Sequence, residues 1–305
     1  GGAAGGASPR SARALRIAFP RLLPLKDNIP TASFPIVTVL LIAVNALVWL
    51  WQLSLGDGPS SSTSPNVRGL SQSDEGVMEL GAIPYRLTHP GTDCGVVVAT
   101  PEAAPRGHET VVCEGSEAER EVEAVEGTAV VPLEAPPFWV TILTSMFMHG
   151  GWLHIIGNML FLWVFGNNIE DSMGRLRFIL FYLLAGTVAA YAQSMLDPES
   201  TVPLIGASGA VAGVLGGYIL LHPHARVVTL VLIVFVVTLV EIPAAILLGV
   251  WFVLQFLPVV GQIGTEVAGE ADVAYLAHVG GFIFGLLAIK LFARPRPRGR
   301  ALGFG

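Results

Sequence analysis

The sequence predicts an all-α polytopic membrane protein with six transmembrane helices and a long extracytoplasmic loop between the first and second helix. Of its 305 residues, 52% are hydrophobic and only 13% are charged, whereas a soluble domain usually has about a quarter charged residues. Uncharged apolar runs of about 20 residues, the length that crosses the hydrocarbon core of a bilayer, recur along the chain. The lipid bilayer is therefore an expected partner, and no nucleic acid is expected.

Six apolar segments have the length of a membrane-crossing helix. The fifth is the least regular, because residues 227–256 are almost all apolar but are interrupted by Glu241 and Pro243. We place the fifth span at 242–260 and expect 227–240 to be an interfacial or re-entrant stretch. The predicted spans are 34–53, about 152–168, 176–195, 207–221, 242–260 and 273–292.

Basic residues at both ends of the chain predict its orientation. The first 33 residues hold five basic residues against the single acid Asp27, and the last 12 hold four arginines. Cytoplasmic segments carry such an excess of Lys and Arg, so both termini are predicted to be cytoplasmic, which requires an even number of spans. Compact loops without a targeting segment favour a prokaryotic plasma membrane. The predicted parts are a basic N-terminal segment (1–33), helix 1 (34–53), an insertion (54–137), a core of helices 2–6 (138–293) and a basic tail (294–305).

The insertion is acidic and extracytoplasmic. It holds 14 acidic and 4 basic residues and begins with a flexible linker rich in Gly, Ser and Pro. Short β-prone runs at 96–98 and 110–112 predict a small module. The chain's two cysteines, Cys94 and Cys113, both lie here. In an oxidising compartment they could form a disulfide; the alternative is two free thiols.

Four polar side chains from three predicted helices lie at one depth near the outer boundary. His154 and Asn158 are four residues apart and share one face of the second span. Ser208 lies near the start of the fourth span, and His278 lies about one turn into the sixth. Polar groups at membrane depth are costly, and ionisable ones usually mark a functional site. We therefore expect a site where these three helices meet.

Small residues predict that the fourth and sixth spans pack closely. Glycines spaced four apart let two helix backbones approach each other. Such an approach would bring the Ser208 hydroxyl within hydrogen-bond reach of His278. The glycines concerned are Gly206, Gly209 and Gly213 around the fourth span and Gly281 and Gly285 in the sixth.

This combination of side chains suits nucleophilic catalysis. A serine hydroxyl becomes a strong nucleophile when a neutral histidine accepts its proton. Attack on a peptide carbonyl creates a negative oxygen that needs hydrogen-bond donors, for which His154, Asn158 and the Ser208 backbone N–H are candidates. The acidic residues nearest to His278 in sequence precede it in a loop, so a Ser–His dyad is the simplest assignment.

Three short motifs carry a resemblance to the rhomboid family of intramembrane serine proteases. They are His-Ile-Ile-Gly-Asn at 154–158, Gly-Ala-Ser-Gly at 206–209 and Ala-His-Val-Gly-Gly at 277–281. The resemblance implies that Ser208 is the nucleophile, His278 the base, and His154 with Asn158 the oxyanion support. It also implies membrane-anchored protein substrates, cut in or near the transmembrane segment, without a cofactor or metal.

The resemblance extends to two further residues and has two departures. His149 matches a histidine that braces the first loop, and Glu170 matches a structural acidic position. Many relatives carry a Trp-Arg pair where this chain has Val140 and Thr141, and some carry an aromatic residue, stacked on the histidine, where it has Ala212.

Two other functions compete with proteolysis. The chain could be a catalytically inactive rhomboid-like protein that binds membrane clients, although such relatives usually lack the serine or the histidine. It could be a transporter or channel, but that function predicts ionisable groups across the full membrane depth. A metalloprotease is disfavoured because the chain has no His-Glu-x-x-His motif. The sequence indicates no oligomeric state.

Overall fold

The computed structural model describes residues 21–56, 71–99, 111–123, 128–233, 236–262 and 274–294. Most of these residues are helical. Several predicted features lie outside the described residues: the first 20 residues, the Gly/Ser/Pro-rich linker, most of the loop before the last helix, and the basic tail beyond Arg294.

Ten helices are present in the described part of the chain. Long helices at the six predicted span positions form the bundle, and short helices belong to the insertion or to the segment before the second span. They are α1 (Ile36–Leu55), α2 (Gln72–Leu80), α3 (Pro84–Thr88), α4 (Glu117–Glu123), α5 (Phe138–Ser145), α6 (Trp152–Met173), α7 (Arg175–Leu196), α8 (Ser208–Leu221), α9 (Ala244–Gln262) and α10 (Tyr275–Phe292).

Three of the described helices, α1, α7 and α10, are long and apolar enough to cross a membrane by length and composition. Two more apolar helices, α8 and the Ala244–Val260 part of α9, are shorter. At about 1.5 Å per residue, the 14 residues of α8 rise roughly 21 Å, less than the hydrocarbon thickness of about 30 Å. A side chain at one end of α8 is thus suited to lie inside the apolar layer.

Helix α8 is the central helix of the bundle. Every residue from Gly209 to Tyr218 is buried, with α6, α7 and α10 packed around it. Large side chains from the neighbouring helices, including Phe165, Phe181 and Tyr182, are fully buried in the same core. The end of α8 that carries Ser208 is therefore held on several sides.

The structure also contains β-sheet, so the all-α prediction was incomplete. The strands are β1 (Arg21–Asp27), β2 (Cys94–Ala99), β3 (Val111–Cys113), β4 (Thr128–Pro132), β5 (Arg226–Ile233) and β6 (Val236–Pro243). They form two three-stranded sheets, in the orders β1-β5-β6 and β3-β2-β4.

The first sheet contains most of the stretch 227–240, for which we expected an interfacial or re-entrant position: residues 227–233 and 236–240 lie in two strands. Strands β5 and β6 pair antiparallel from Arg226 with Pro243 to Ile233 with Val236, which suits a run rich in valine, isoleucine and threonine. Strand β1 pairs antiparallel with β5. Buried Asp27, at the end of β1, accepts hydrogen bonds from the Tyr218 hydroxyl and the Asn168 side chain. The sheet is thereby fastened to α8 and α6.

The second sheet forms the small module that the insertion predicted. Cys94 and Cys113 are direct partners across β2 and β3 and are joined by a disulfide. Another part of the insertion, between α2 and α3, contacts the segment before α8: Ala82 and Leu204 exchange backbone hydrogen bonds of 3.0 and 2.8 Å. The insertion therefore holds the segment that leads into Ser208.

Candidate active site

Ser208 is the first residue of α8, and the segment before it is fixed from two directions. The insertion holds Leu204, and the backbone N–H of Gly206 donates to the carbonyl of Ser145 on α5 at 2.8 Å. The N–H groups in the first turn of a helix have no partner within the helix and carry its positive dipole end. Ser208 is thus placed where backbone donors converge.

Gly206 can only be glycine in this arrangement. Its φ of +116° lies in the region that other residues rarely adopt. A Cβ at this position would also lie 2.5 Å from Nε2 of His154. The missing side chain lets the His154 ring approach the backbone two residues before Ser208.

His278 reaches Ser208 from α10. Its Nε2 lies 2.8 Å from the Ser208 Oγ. The predicted glycine contacts bring the two helices together: a Cβ on Gly281 would overlap the carbonyl oxygen of Gly209, and one on Gly285 would overlap that of Gly213. The serine and the histidine, 70 residues apart in sequence, are therefore neighbours because two helix backbones touch.

Gln255 is part of the site, and the sequence analysis missed it. Its Oε1 lies 2.7 Å from Nδ1 of His278. Trp251, one turn earlier on α9, places its ring 6.0 Å from the His278 ring. The available signal was an uncharged polar residue one turn after a tryptophan, in a segment that is otherwise apolar.

His154 and Asn158 lie on one face of α6, as their spacing predicted. The Nδ1 of His154 accepts from the Gly150 backbone N–H at 3.4 Å, so a neutral ring carries its hydrogen on Nε2, the nitrogen beside Gly206. Asn158 is buried, and its side-chain nitrogen makes no hydrogen bond to the residues that the structure describes. Both side chains can offer a donor hydrogen.

His149 braces the loop between α5 and α6. Its backbone N–H and carbonyl both bond to the Gln52 side chain of α1, at 3.0 and 3.1 Å. Its ring meets that of His154 edge-on, with centroids 5.1 Å apart. Burial, and then the neighbouring His154, lowers the pKa of His149 to about 4, so this ring is neutral at neutral pH.

Glu170 fastens the opposite end of α6 to α1. Its carboxylate accepts from the backbone N–H groups of Val37 and Thr38 and from the Thr38 hydroxyl, at 3.0, 2.8 and 2.8 Å. A carboxylate at a helix N-terminus satisfies unpaired donors and complements the helix dipole. Glu170 therefore has a structural position far along α6 from His154.

The structure shows what surrounds two residues, Ala212 and Thr141, at which this chain departs from the rhomboid resemblance. Ala212 is fully buried, and a Cβ on Gly281 would lie 3.5 Å from it, so this position belongs to the close contact between α8 and α10. The aromatic ring near His278 comes instead from Trp251. Thr141 is also buried and bonds locally to the carbonyl of Phe138.

The described residues contain no group of three His, Cys, Asp or Glu side chains arranged as metal ligands. The site consists of a serine, histidines and neutral amides. Such a set can transfer a proton between nitrogen and oxygen and stabilise a negative oxygen by hydrogen bonds. Together with the apolar helices, it defines a membrane protein with a polar site at the end of its central helix.

Comparison with known proteins agrees with this class. The family model described as "Rhomboid domain" matches residues 136–295. The chain belongs to the rhomboid family. It is 34% identical over 155 residues to Rhomboid protein 1, mitochondrial, of Saccharomyces cerevisiae, covering 48% of this chain and 40% of that protein.

Two other relatives show the same pattern of partial coverage. RHOMBOID-like protein 4 of Arabidopsis thaliana is 35% identical over 162 residues, covering 50% of this chain and 34% of the relative. Rhomboid protease GluP of Bacillus subtilis is 40% identical over 78 residues, covering 26% and 15%. The chain therefore spans less than half the length of each of these relatives.

Proposed function

We propose that this rhomboid family member is an intramembrane serine protease. It hydrolyses a peptide bond in or near the transmembrane segment of a membrane-anchored protein, with Ser208 as nucleophile and His278 as base. The observation that supports this most is the 2.8 Å contact between Ser208 Oγ and His278 Nε2. Membership of the rhomboid family and the name of one relative, Rhomboid protease GluP, agree with it.

The first half of the proposed reaction forms an acyl-enzyme on Ser208. His278 Nε2 takes the proton of Ser208 as Oγ attacks the carbonyl carbon of the scissile bond. Negative charge develops on the carbonyl oxygen, where the Ser208 backbone N–H, the Asn158 amide and the His154 Nε2–H are the proposed donors. The carbon–nitrogen bond then breaks, and His278 gives its proton to the leaving amine.

The second half regenerates the enzyme. A water molecule gives its proton to His278 and attacks the acyl carbon, and the ester bond to Ser208 Oγ breaks as that oxygen regains the proton. Each proton that His278 accepts is returned within the same half-reaction. No cofactor is required by this scheme.

We also propose a topology for the site. Helices α1 and α6–α10 would cross the membrane of a prokaryotic cell, with both termini cytoplasmic and the insertion outside. The short α8 supports this, because a 14-residue helix that reaches the inner surface would hold a serine at its outer end below the outer surface. The distribution of basic residues supports the same orientation.

Labelling with a fluorophosphonate tests the function directly. Purified protein in detergent is treated with the reagent, and the modified residue is located by mass spectrometry. Modification of Ser208, lost in His278→Ala, is expected, together with cleavage of a reconstituted single-span substrate. Ser194→Ala is the matched control, since Ser194 is a buried serine on α7 bonded to the Ala190 carbonyl. A folded wild type that neither labels nor cleaves would favour the client-binding alternative.

A further inference from the structure

His278 has a partner on each of its ring nitrogens, and the two partners come from different helices. Nε2 lies 2.8 Å from Ser208 Oγ on α8, and Nδ1 lies 2.7 Å from Gln255 Oε1 on α9. A dyad uses the first contact alone. The second contact therefore needs its own explanation.

The Gln255 contact determines which nitrogen of His278 carries the hydrogen. A side-chain amide oxygen has no hydrogen and can only accept, so the Nδ1 atom must donate to it. A neutral imidazole has a single N–H, which leaves a lone pair on Nε2. That lone pair faces Ser208 Oγ, as a general base requires.

The opposite tautomer is disfavoured by the same contacts. With the hydrogen on Nε2, the Nδ1 lone pair would face the lone pairs of Gln255 Oε1. A buried polar group without a partner is costly, and more so in an apolar surrounding.

Helix α9 presents the residues that hold His278 on one face. Trp251 and Gln255 are one turn apart and both meet the His278 ring. Phe252, also on α9, packs on Phe282, which lies about one turn after His278 on α10. Their ring centroids are 4.6 Å apart. In contrast, Val253 and Phe256 are exposed, as side chains facing lipid would be.

We propose that Gln255 is a positioning residue that sets the tautomer and orientation of His278, so that the base is competent only while α9 is packed against α10. This inference rests on the proposed protease function. It predicts that α9 controls proton transfer through one hydrogen bond, without touching Ser208. Displacement of α9 would leave the nucleophile in place and remove the orientation of its base.

The test compares three variants of α9 in the full-length protein. Gln255→Leu removes the acceptor at similar volume, and Gln255→Glu keeps an oxygen acceptor. Val253→Ala is the control, because Val253 lies on the same helix and is exposed. Cleavage of a single-span substrate is measured as separate kcat and KM values, together with the rate at which fluorophosphonate modifies Ser208.

A loss of base orientation should affect kcat and labelling but not substrate binding. General-base assistance contributes about 10²–10⁴-fold, so we expect Gln255→Leu to lower kcat and the labelling rate by roughly 10–100-fold. KM should change by less than about twofold, and Gln255→Glu should keep most of the wild-type kcat. Val253→Ala should match the wild type.

A spectroscopic readout separates positioning from a general structural effect. In protein with ¹⁵N-labelled histidine, the wild type should show an Nδ1–H resonance that disappears in His278→Gln. Gln255→Glu should keep it, and Gln255→Leu should shift or lose it. The Nδ1–H resonance and the kinetics of Gln255→Glu test the positioning role of Gln255 even if Gln255→Leu folds poorly.

The outcomes distinguish this inference from the function on which it rests. Wild-type kcat and labelling in Gln255→Leu would overturn the role of Gln255 and leave the protease proposal intact. Equal loss in Gln255→Leu and Gln255→Glu, with an unchanged Nδ1–H resonance, would also overturn it. A wild type that neither labels nor cleaves would instead contradict the protease itself.

Discussion

Gly281 of α10 packs against the backbone carbonyl of Gly209 of α8, beside the candidate site. Gly209 follows Ser208, and Gly281 lies less than one turn after His278. There is no room for a Cβ on Gly281, because it would overlap the Gly209 carbonyl. The separation of Ser208 and His278 is thus set by the distance between two helix backbones.

Gly281→Ala should therefore weaken both the fold and the reaction. The added methyl group must push α10 away from α8, and such overpacking typically costs about 1–3 kcal/mol. We expect a lower melting temperature and a large loss of substrate cleavage. The control is Gly249→Ala on α9, where a Cβ meets nothing within 4 Å. Wild-type cleavage by Gly281→Ala would show that the backbone contact does not position the site.

Gly206→Ala should abolish most activity through its effect on His154. The alanine would face both an unfavourable positive φ, at about 1–2 kcal/mol, and a clash with the His154 ring. Gly91→Ala separates the two effects, because Gly91 also has a positive φ of +93° but open space around it. Activity should survive in Gly91→Ala. Equal cleavage rates for both variants would exclude a role for the Gly206–His154 contact.

Asn158→Ala should slow the chemical step without stopping it. Removal of one oxyanion donor costs about 10²–10³-fold in kcat, and other donors remain in the proposed site. We expect kcat to fall while KM stays close to the wild-type value. Asn167→Ala, near the other end of α6, serves as the control and should be fully active. An unchanged kcat in Asn158→Ala would remove this residue from the oxyanion role.

Loss of the Cys94–Cys113 disulfide should affect the site at a distance. The bond joins residues 19 apart in sequence, and closing a loop of this size stabilises a fold by about 3 kcal/mol. The double variant Cys94→Ser/Cys113→Ser should be cut sooner by an added protease within the insertion. Cleavage of substrate should also decrease, because the insertion holds Leu204 near Ser208. Substrate cleavage that persists after the insertion is nicked would contradict this coupling.

His149 should make the fold sensitive to mild acid. Burial lowers its pKa from 6.5 to about 4, so the unfolded chain binds a proton more readily than the folded one. The contribution of the neutral His149 ring to the free energy of unfolding is complete above pH 6.5. It is lost as the pH falls from 6.5 to about 4. His149→Gln should show a smaller decrease in melting temperature between pH 7 and pH 4 than the wild type. If the melting temperatures of the two proteins fall equally between pH 7 and pH 4, His149 is not the source of the acid sensitivity.

Two contacts that the sequence analysis did not foresee join segments that are distant in the chain. The stretch 227–240 is apolar and β-branched, a pattern that fits a membrane-embedded segment as well as a buried strand. Its partner strand β1 lies about two hundred residues earlier in the chain. Likewise, Gln255 is an ordinary polar residue until α9 packs beside His278. The residues near β5 and near Gln255 in sequence do not predict the pairing of β5 with β1 or the contact of Gln255 with His278.

The sequence by itself determined the membrane character, the positions of the long helices and the glycine faces of the fourth and sixth spans. These follow from the length of apolar runs and from residue spacing, which are local properties of the chain. It also singled out Ser208, His278, His154 and Asn158 as candidates. Only the tertiary structure decided which groups touch: the glutamine on Nδ1 of His278, the insertion against Leu204, and Asp27 of β1 against Tyr218 of α8. Contacts between separate elements depend on how whole helices pack, and that is a property of the folded chain.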